Sequence, residues 1–209
     1  MQNYQTNYSF RSDLDIIEPE KALLIYEFMV RLRMIEEAII NEYHPADEMK
    51  CPIHFCVGQE AVPAVLSSIL SEEDSLLSHH RSHGHYLAKG CSLDGLFGEL
   101  YGKSNGSNKG LAGSQDISSS KDNFYSGAIL TGSVGIATGI AYAKKMLNDN
   151  SAVICCFGEA ATDQGLFWES MNYASLKKLP ILFICENNNY ATYSHSNKRM
   201  ANLNICEKV

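Results

Sequence analysis

Two short apolar runs in the second half of the chain place the strongest constraint on its fold. The runs SAVICCF (151–157) and LPILFICE (179–186) are continuous, bounded by polar turns and typical of buried parallel strands. The segment between them, DQGLFWESMNYASLKK (163–178), has the pattern of an amphipathic helix. A strand, a crossover helix and a second strand form a βαβ unit, which requires parallel strands and a right-handed crossover. We therefore predict an α/β fold built on a parallel sheet.

The rest of the chain is predicted to contain helices and one long loop. The expected helices lie at 19–43, 58–70, 93–102 and 132–147. Residues 102–127 are rich in Gly, Ser, Asn and Lys, and a loop of that length in a compact domain is more often functional than idle. From the length we expect one domain at 18–209 and a flexible N-terminal arm at 1–17.

Composition argues against several classes of partner. The formal net charge of −7 is unlike that of a nucleic-acid-binding protein, which normally presents a basic face. Each apolar run is interrupted by Lys, Glu, Asn or Arg before it reaches membrane-spanning length, so no membrane partner is expected. The N-terminal residues lack the basic region and apolar block of a signal peptide, and the seven cysteines include no CxxC pair. These features predict a cytoplasmic protein with reduced cysteines.

Polar side chains follow each of the two predicted strands. Glu159 comes just after the first strand, and the cluster Asn187–Asn189 comes just after the second. In a parallel sheet both emerge at the carboxyl edge, where ligands of open α/β sheets bind. Oxygen-bearing side chains beside a helix N-terminus form a suitable site for a hard cation and a phosphate.

Histidines are concentrated in the first half of the chain. Four of them lie within seven residues, beside Arg81: His79, His80, His83 and His85. A solvated polar turn would account for a single histidine, but this density favours a ligand or catalytic role. His54 stands alone in an apolar stretch and, from the residues alone, is equally consistent with a structural role.

Several blocks of the sequence together resemble one enzyme family. Gly158-Glu159-Ala160, then 26 residues, then Asn187-Asn188 is similar to the thiamine diphosphate motif, GDG followed by NN. Five further blocks appear in the family's order: HFCVGQEA (54–61), HRSHGHYLAKG (80–90), ELYGK (99–103), KGLAGS (109–114) and DQGLFWESMNYASLKKLPILFICENN (163–188). The chain resembles the alpha subunit of thiamine diphosphate-dependent 2-oxo acid dehydrogenases, which include the pyruvate, branched-chain and acetoin enzymes. The resemblance runs from about residue 18 to 199, and the chain is shorter at its C-terminus than the family.

This resemblance implies the thiamine diphosphate-binding fold, with helices on both faces of the parallel sheet, and it implies a set of ligands. Mg²⁺ would be held by Glu159, Asn188 and the backbone oxygen of Tyr190, with diphosphate oxygens and a water completing six ligands. The expected cofactor-binding residues are His80, Arg81, Ala128, Leu130, Gly158, Glu159, Ala160, Ala161, Asn188 and Tyr190. Within that set, Ala128 and Leu130 would support the aminopyrimidine ring, and the others the diphosphate or the metal. His54 and His83 match histidines on the substrate side and are the expected catalytic residues.

The resemblance also implies a reaction and partners. The family carries out oxidative decarboxylation of a 2-oxo acid and transfers the acyl group to the lipoyl-lysine of a transacylase. A beta subunit supplies the glutamate that acts on the aminopyrimidine, usually in an α2β2 assembly. By this resemblance the chain alone would hold half of an active site.

Three substitutions depart from the family pattern and keep other hypotheses open. Glu159 replaces the motif Asp, Ala160 replaces the second Gly, and Asp116 replaces a histidine near the active centre. An added methylene challenges the short ligand distances of Mg²⁺, and an added methyl strains a position that needs positive φ. These departures favour an alternative, a non-catalytic paralogue acting as an interaction subunit. A further alternative is another thiamine diphosphate enzyme, of transketolase or decarboxylase type.

Overall fold

The computed structural model describes residues 17–43, 48–49 and 51–208. The predicted arm at 1–17 lies outside these residues except for its last position, so its flexibility stays a prediction. No helix within the described ranges is both long enough and apolar enough to cross a membrane.

The described residues are organised around a four-stranded parallel sheet. In chain order its strands are β1 (Ser75–Ser78), β2 (Phe124–Ser126), β3 (Val153–Gly158) and β4 (Ile181–Glu186). They lie in the spatial order β2-β1-β3-β4, and each neighbouring pair is parallel. An antiparallel hairpin follows β4 and consists of β5 (Tyr190–Ala191) and β6 (Ser194–His195).

Helices cover this sheet, and short 3-10 turns follow some of the strands. The helices of the described part are α1 (Pro19–Glu42), α2 (Ala61–Ser67), α3 (His83–Ala88), α4 (Leu93–Leu100), α5 (Gly132–Met146) and α6 (Gly165–Lys177). The predicted helices at 19–43, 93–102 and 132–147 are confirmed within a few residues. The helix predicted at 58–70 is shorter at both ends. It begins later because Gly58 has a φ of +85° and donates its N–H to the Glu60 carboxylate in a turn that precedes α2.

The predicted βαβ unit is confirmed. β3 and β4 pair in parallel from Val153 opposite Ile181 to Gly158 opposite Glu186, and α6 connects them. The helix begins at Gly165, two residues later than predicted, because the residues after β3 form a 3-10 turn. We call this turn, Glu159–Asp163, the Glu159 turn.

Two hydrophobic clusters show that helices cover both faces of the sheet, as the resemblance implied. On one face, Ile154 and Cys156 of β3 pack with residues of α1 to α4. On the other face, Val153, Cys155 and Phe157 pack with α5 and α6. This alternation along one strand follows the two-residue period of a β-strand. All seven cysteines are free thiols, as predicted.

Three short elements differ from the sequence expectation. β1 ends just before His79 and α3 begins at His83, in a region where no element was predicted, and β2 lies inside the predicted loop at 102–127. These elements are three to six residues long, too short for a hydrophobic period to show in the sequence. Pairing between strands forms the two short strands: β1 lies between β2 and β3 in the sheet.

A single buried carboxylate organises the first part of the long loop. Glu99, near the end of α4, is 1% exposed and accepts four backbone N–H groups with both oxygens. The donors and their distances are Asn108 at 2.7 Å, Gly110 at 2.9 Å, Ala112 at 2.6 Å and Gly113 at 3.1 Å. Charge-assisted bonds to backbone amides are among the stronger hydrogen bonds in proteins. The loop is therefore folded around this side chain.

Glycine is required where this loop returns to α4. Gly110 has a φ of +77°, and a Cβ on it would overlap the backbone of Gly102. A side chain at this position would move the N–H of Gly110 away from Glu99. The blocks ELYGK and KGLAGS thus form one structural unit, with the carboxylate in the first and the bonded amides mainly in the second.

We predict that Glu99→Gln destabilises the protein. The Gln amide nitrogen would face backbone N–H groups, so at least one pair of donors loses its acceptor inside the structure. The expected loss is about 2–4 kcal/mol in the free energy of unfolding, measured by urea denaturation of the full chain. The matched control is Glu169→Gln, at an exposed position of α6, which should change the value by less than about 0.5 kcal/mol. Equal effects of the two variants would contradict the role given to Glu99.

Candidate active site

Three strands deliver the predicted residues to the carboxyl edge of the sheet. The segment after β1 contains His80 and Arg81. The segment after β3 opens with Glu159, and the segment after β4 contains Asn188. Because the three strands are parallel neighbours, these segments leave the sheet at one edge. The shared carboxyl edge predicted from the sequence is confirmed.

A buried hydrogen bond crosses this edge. His79, the residue after β1, places its Nε2 2.6 Å from Oε2 of Glu186, the last residue of β4. β3 runs between these strands, and its last residue, Gly158, is the register partner of Glu186. Side chains from the strands on either side of β3 therefore meet across its end.

Glu159 lies in the interior and forms an ion pair. Its side chain is 2% exposed, and its Oε1 is 2.7 Å from Nη2 of Arg199. Arg199 also contacts the carboxylate of Asp163 and donates from Nε to the carbonyl of Ser194 at 3.3 Å. Among the described residues, hydrogen bonding to the Glu159 carboxylate is confined to Oε1. Arg199 thus fixes one oxygen of this longer side chain and leaves the other for a ligand.

The other two predicted metal ligands lie close by in the chain and are exposed. Oδ1 of Asn188 accepts the N–H of Tyr190 at 2.9 Å, which fixes the turn between β4 and the hairpin. Tyr190 opens β5, and its ring lies edge-on to His195 at 5.0 Å. β5 lies against the Glu159 turn, so the carboxylate and Tyr190 belong to neighbouring segments.

The predicted diphosphate amides begin the Glu159 turn. Ala160 is half-buried and Ala161 is fully buried. The positive φ angles of the described residues do not include Ala160, because the 3-10 turn uses right-handed backbone angles. The methyl group that replaces the family glycine therefore causes no backbone strain here.

His54 and His80 are brought together with Arg81. The two imidazole rings lie edge to face with their centroids 4.8 Å apart, and Arg81 Nη1 donates to the carbonyl of Phe55. Burial lowers the pKa of His80 to about 4, and burial also lowers the pKa of His54. Gln115 donates to Nδ1 of His54 at 2.9 Å, so the ring proton of neutral His54 is on Nε2.

His83 is buried in the interior, whereas contact with a substrate would require an accessible imidazole. Its side chain is completely buried, with Nδ1 2.7 Å from Glu36 and Nε2 2.8 Å from Ser114. The second carboxylate oxygen of Glu36 accepts the N–H of Cys56 at 2.7 Å. His83 therefore connects α1, α3 and the long loop, and its catalytic assignment stays a prediction.

The segment expected to face the aminopyrimidine is held by Asp116. Oδ1 of Asp116 accepts a hydrogen bond from the N–H of Ala128 at 2.8 Å. Asp116, which replaces the family histidine, therefore holds the backbone of this segment in place. The carbonyl of Leu130 accepts the hydroxyl of Thr131 at 2.5 Å. Thr131 has a φ of +64°, an unusual angle for a β-branched residue, and its hydroxyl also contacts Gln164.

Four residues at this edge were not among the predicted site residues. Arg199 gave no signal in the sequence, because its partner Glu159 is 40 positions away. The other three form a buried group, here called the His–Glu cluster: His79, His85 and Glu186. The density of histidines pointed to the first two, and the position at the end of a predicted strand could have indicated the third.

Burial and charge set the protonation of the His–Glu cluster. Burial lowers the pKa of His85 to about 4, with Glu186 acting in the opposite direction. Burial raises the pKa of Glu186, but the hydrogen bond from His79 and the electrostatic interactions with His85, His79 and Arg81 outweigh it and lower that pKa below its usual value. The N–H of Arg81 donates to Nδ1 of His79 at 3.2 Å, so the proton of neutral His79 is on Nε2 and is donated to Glu186.

The chain is similar to known proteins of one family. Residues 27–208 match the family model described as dehydrogenase E1 component. The alpha subunit of acetoin:2,6-dichlorophenolindophenol oxidoreductase from Bacillus subtilis is 36% identical over 181 residues, which cover 86% of this chain and 54% of that protein.

Alpha subunits of the pyruvate dehydrogenase E1 component are similar too. The one from Rhizobium meliloti is 36% identical over 82% of this chain and 49% of its own length. The mitochondrial one from Schizosaccharomyces pombe is 35% identical over 79% and 40%.

The chain spans about half the length of these curated relatives. The match to the family model nevertheless includes every described strand of the sheet and the segments at its carboxyl edge. The chain therefore belongs to the dehydrogenase E1 component family.

Proposed function

We propose that the chain is the alpha-type component of a thiamine diphosphate-dependent 2-oxo acid dehydrogenase and that it binds the diphosphate end of the cofactor. One observation carries the proposal: the segments of Arg81, Glu159 and Asn188 leave three neighbouring parallel strands at one edge, in a chain of the E1 family. When bound, thiamine diphosphate supplies the ylid that adds to a 2-oxo acid.

The residues of this chain would bind and orient the diphosphate. The guanidinium of Arg81 offers a charge-assisted bond to a phosphate oxygen, and its contact with Phe55 fixes its direction. The N–H groups of Ala160 and Ala161 stand at the beginning of the Glu159 turn, where backbone donors are free to bind an anion. Gly158 has no side chain, and no atom of the described residues beyond its chain neighbours lies within 4 Å of the position that a Cβ would take, so space is open beside the end of β3.

The residues proposed for the metal fit Mg²⁺ in their chemistry. The carboxylate of Glu159, the amide oxygen of Asn188 and the carbonyl of Tyr190 are the hard oxygen ligands that this ion takes. The added methylene of Glu159 is restrained by Arg199, which holds Oε1 at 2.7 Å. An outer residue that holds a ligand in this way orients it for the ion.

On the substrate side, His54 is the residue best suited to a polar contact. Neutral His54 carries its proton on Nε2 and can donate it in a hydrogen bond to an oxygen of the 2-oxo acid. His80 stands where the family has a tyrosine, and its imidazole could donate a hydrogen bond to the diphosphate. Leu130 and Ala128 would present backbone groups to the aminopyrimidine ring.

The complete reaction requires other chains. We propose oxidative decarboxylation of a 2-oxo acid, with acyl transfer to the lipoyl group of a transacylase, in an α2β2 assembly with a beta subunit. The glutamate that acts on the aminopyrimidine would come from that subunit. The cytoplasmic location expected from the sequence belongs to the same proposal.

One observation favours a second candidate function, that of a non-catalytic interaction subunit. Arg199 forms ion pairs with the carboxylates of both Glu159 and Asp163, so a cation from the protein itself already contacts Glu159 without a metal ion. A chain with this ion pair could keep the fold and the subunit surface without binding the cofactor. The two candidates differ in whether the Glu159 carboxylate holds a metal ion.

We predict that Glu159→Gln weakens Mg²⁺-dependent binding of thiamine diphosphate at least about tenfold, because even outer-shell ligand changes have effects of that size. The matched control is Asp163→Asn, which removes the other carboxylate on Arg199. Its expected effect is less than about threefold, the size of an exposed ion pair. Both are measured by calorimetry on the complex of the chain with its beta partner.

The outcomes separate the two candidates. Equal losses in the two variants would give Glu159 the role of an ion-pair partner only. Absence of binding to the unaltered complex, with Mg²⁺, Mn²⁺ or Ca²⁺ present, would contradict the catalytic proposal and support the interaction subunit.

We also predict that the full chain purifies from its own cells with a second chain of E1 beta type in equal amounts. Affinity capture, followed by mass spectrometry and sequencing of the partner, tests this. The partner should carry a glutamate able to face the aminopyrimidine, and the pair should bind thiamine diphosphate more tightly than the isolated chain. Capture of the chain alone or as a homo-oligomer would contradict the assembly.

A further inference from the structure

The His–Glu cluster brings two imidazoles and a carboxylate together inside the protein. Nε2 of His79 is 2.6 Å and Nε2 of His85 is 3.6 Å from the same oxygen, Oε2 of Glu186. The three ligand atoms lie within 4.8 Å of one another. The side chains of His79, His85 and Glu186 are 8%, 1% and 13% exposed, so water screens this group very little.

His85 supplies an independent reason to expect a ligand. Its Nε2 is buried and has no hydrogen-bond partner among the residues that the structure describes. Buried nitrogen atoms without a partner are rare in native proteins. The other ring nitrogen, Nδ1, is 2.8 Å from the hydroxyl of Ser78. When Nδ1–H donates to this hydroxyl, the lone pair on Nε2 faces the carboxylate oxygen of Glu186, and a cation between them would remove the repulsion.

We propose that His79, His85 and Glu186 form a binding site for one divalent transition metal of the Zn²⁺ class. Two neutral imidazoles and a carboxylate form a ligand set typical of zinc sites, which leave a fourth position for water. Mg²⁺ prefers oxygen ligands only, so this site is distinct from the proposed magnesium site. Ser78 acts as the outer residue that orients His85.

Metal binding requires a small rearrangement. Ligand atoms at about 2.0–2.2 Å from a tetrahedral ion lie roughly 3.3–3.6 Å apart. The 3.6 Å separation of His85 and Glu186 already matches this spacing. The 2.6 Å separation of His79 and Glu186 has to open, and the two imidazole nitrogens, within 4.8 Å of each other, have to approach. The proton on Nε2 of His79 leaves that nitrogen, and Nδ1 takes up a proton. Because protonated Nδ1 can no longer accept, the 3.2 Å hydrogen bond from the backbone N–H of Arg81 to Nδ1 is lost.

The test uses the full chain, without a histidine tag and freed of metal by a chelator. The chain is titrated with Co²⁺ as the probe, and the visible bands of the bound ion are recorded. One equivalent of Co²⁺ should bind in a four-coordinate site. Zn²⁺ should displace the bound Co²⁺, and Mg²⁺ should not. The spectrum should lack thiolate charge-transfer bands, since the seven cysteines are the competing ligands.

Two variants and a control locate the ion. Glu186→Gln and His85→Gln should each weaken Co²⁺ binding at least tenfold, whereas His195→Gln, on the β5–β6 hairpin, should leave it unchanged. Where a variant fails to fold, anomalous scattering at the zinc edge from crystals of the unaltered chain places the metal directly. Absence of a stoichiometric site, thiolate ligation, or affinity unchanged in both cluster variants would overturn the proposal.

Discussion

The parallel alignment of β1, β3 and β4 is the constraint on which the rest of the site depends. Because these strands are neighbours and point the same way, the segments that follow them share one edge. Arg81, Glu159 and Asn188 reach that edge although the first and the last are 107 positions apart in sequence. The hydrogen bond between His79 and Glu186 links the segments at the ends of β1 and β4 across the end of β3. A different strand order would separate these groups.

Buried carboxylates connect the helices and loops to this sheet. Glu36 links α1 to His83, Glu99 holds the long loop, Glu159 fixes Arg199, and Glu186 holds His79. Glu36, Glu99 and Glu159 are fully buried and the Glu186 side chain is 13% exposed, and each is hydrogen-bonded to a cation, an imidazole or backbone amides. A buried charge is tolerated only with such partners. The protein thus uses its carboxylates as fixed points at which distant segments of the chain meet.

Local sequence patterns predicted the elements that are long and periodic. The βαβ unit and the helices α1, α4, α5 and α6 follow from hydrophobic spacing, and the strand ends indicated the edge at Glu159 and Asn188. β1 and β2 could not be predicted in this way, because strands of three or four residues form only by pairing with neighbours. The partners of Glu99 and Glu159 depend on contacts across 9 to 40 positions, which no local pattern encodes. Family resemblance supplied residue roles, and the structure gave physical reasons for two departures from it: Ala160 sits without strain, and Asp116 bonds Ala128.

We propose that the carboxyl edge of β1, β3 and β4 holds the diphosphate of the cofactor. A crystal structure of the chain with its beta partner, grown with thiamine diphosphate and Mg²⁺, tests it most directly. We expect diphosphate oxygens within hydrogen-bonding distance of Arg81 and of the N–H groups of Ala160 and Ala161, with the metal on Glu159. A diphosphate bound elsewhere, or an edge that excludes the cofactor at saturating concentration, would contradict it.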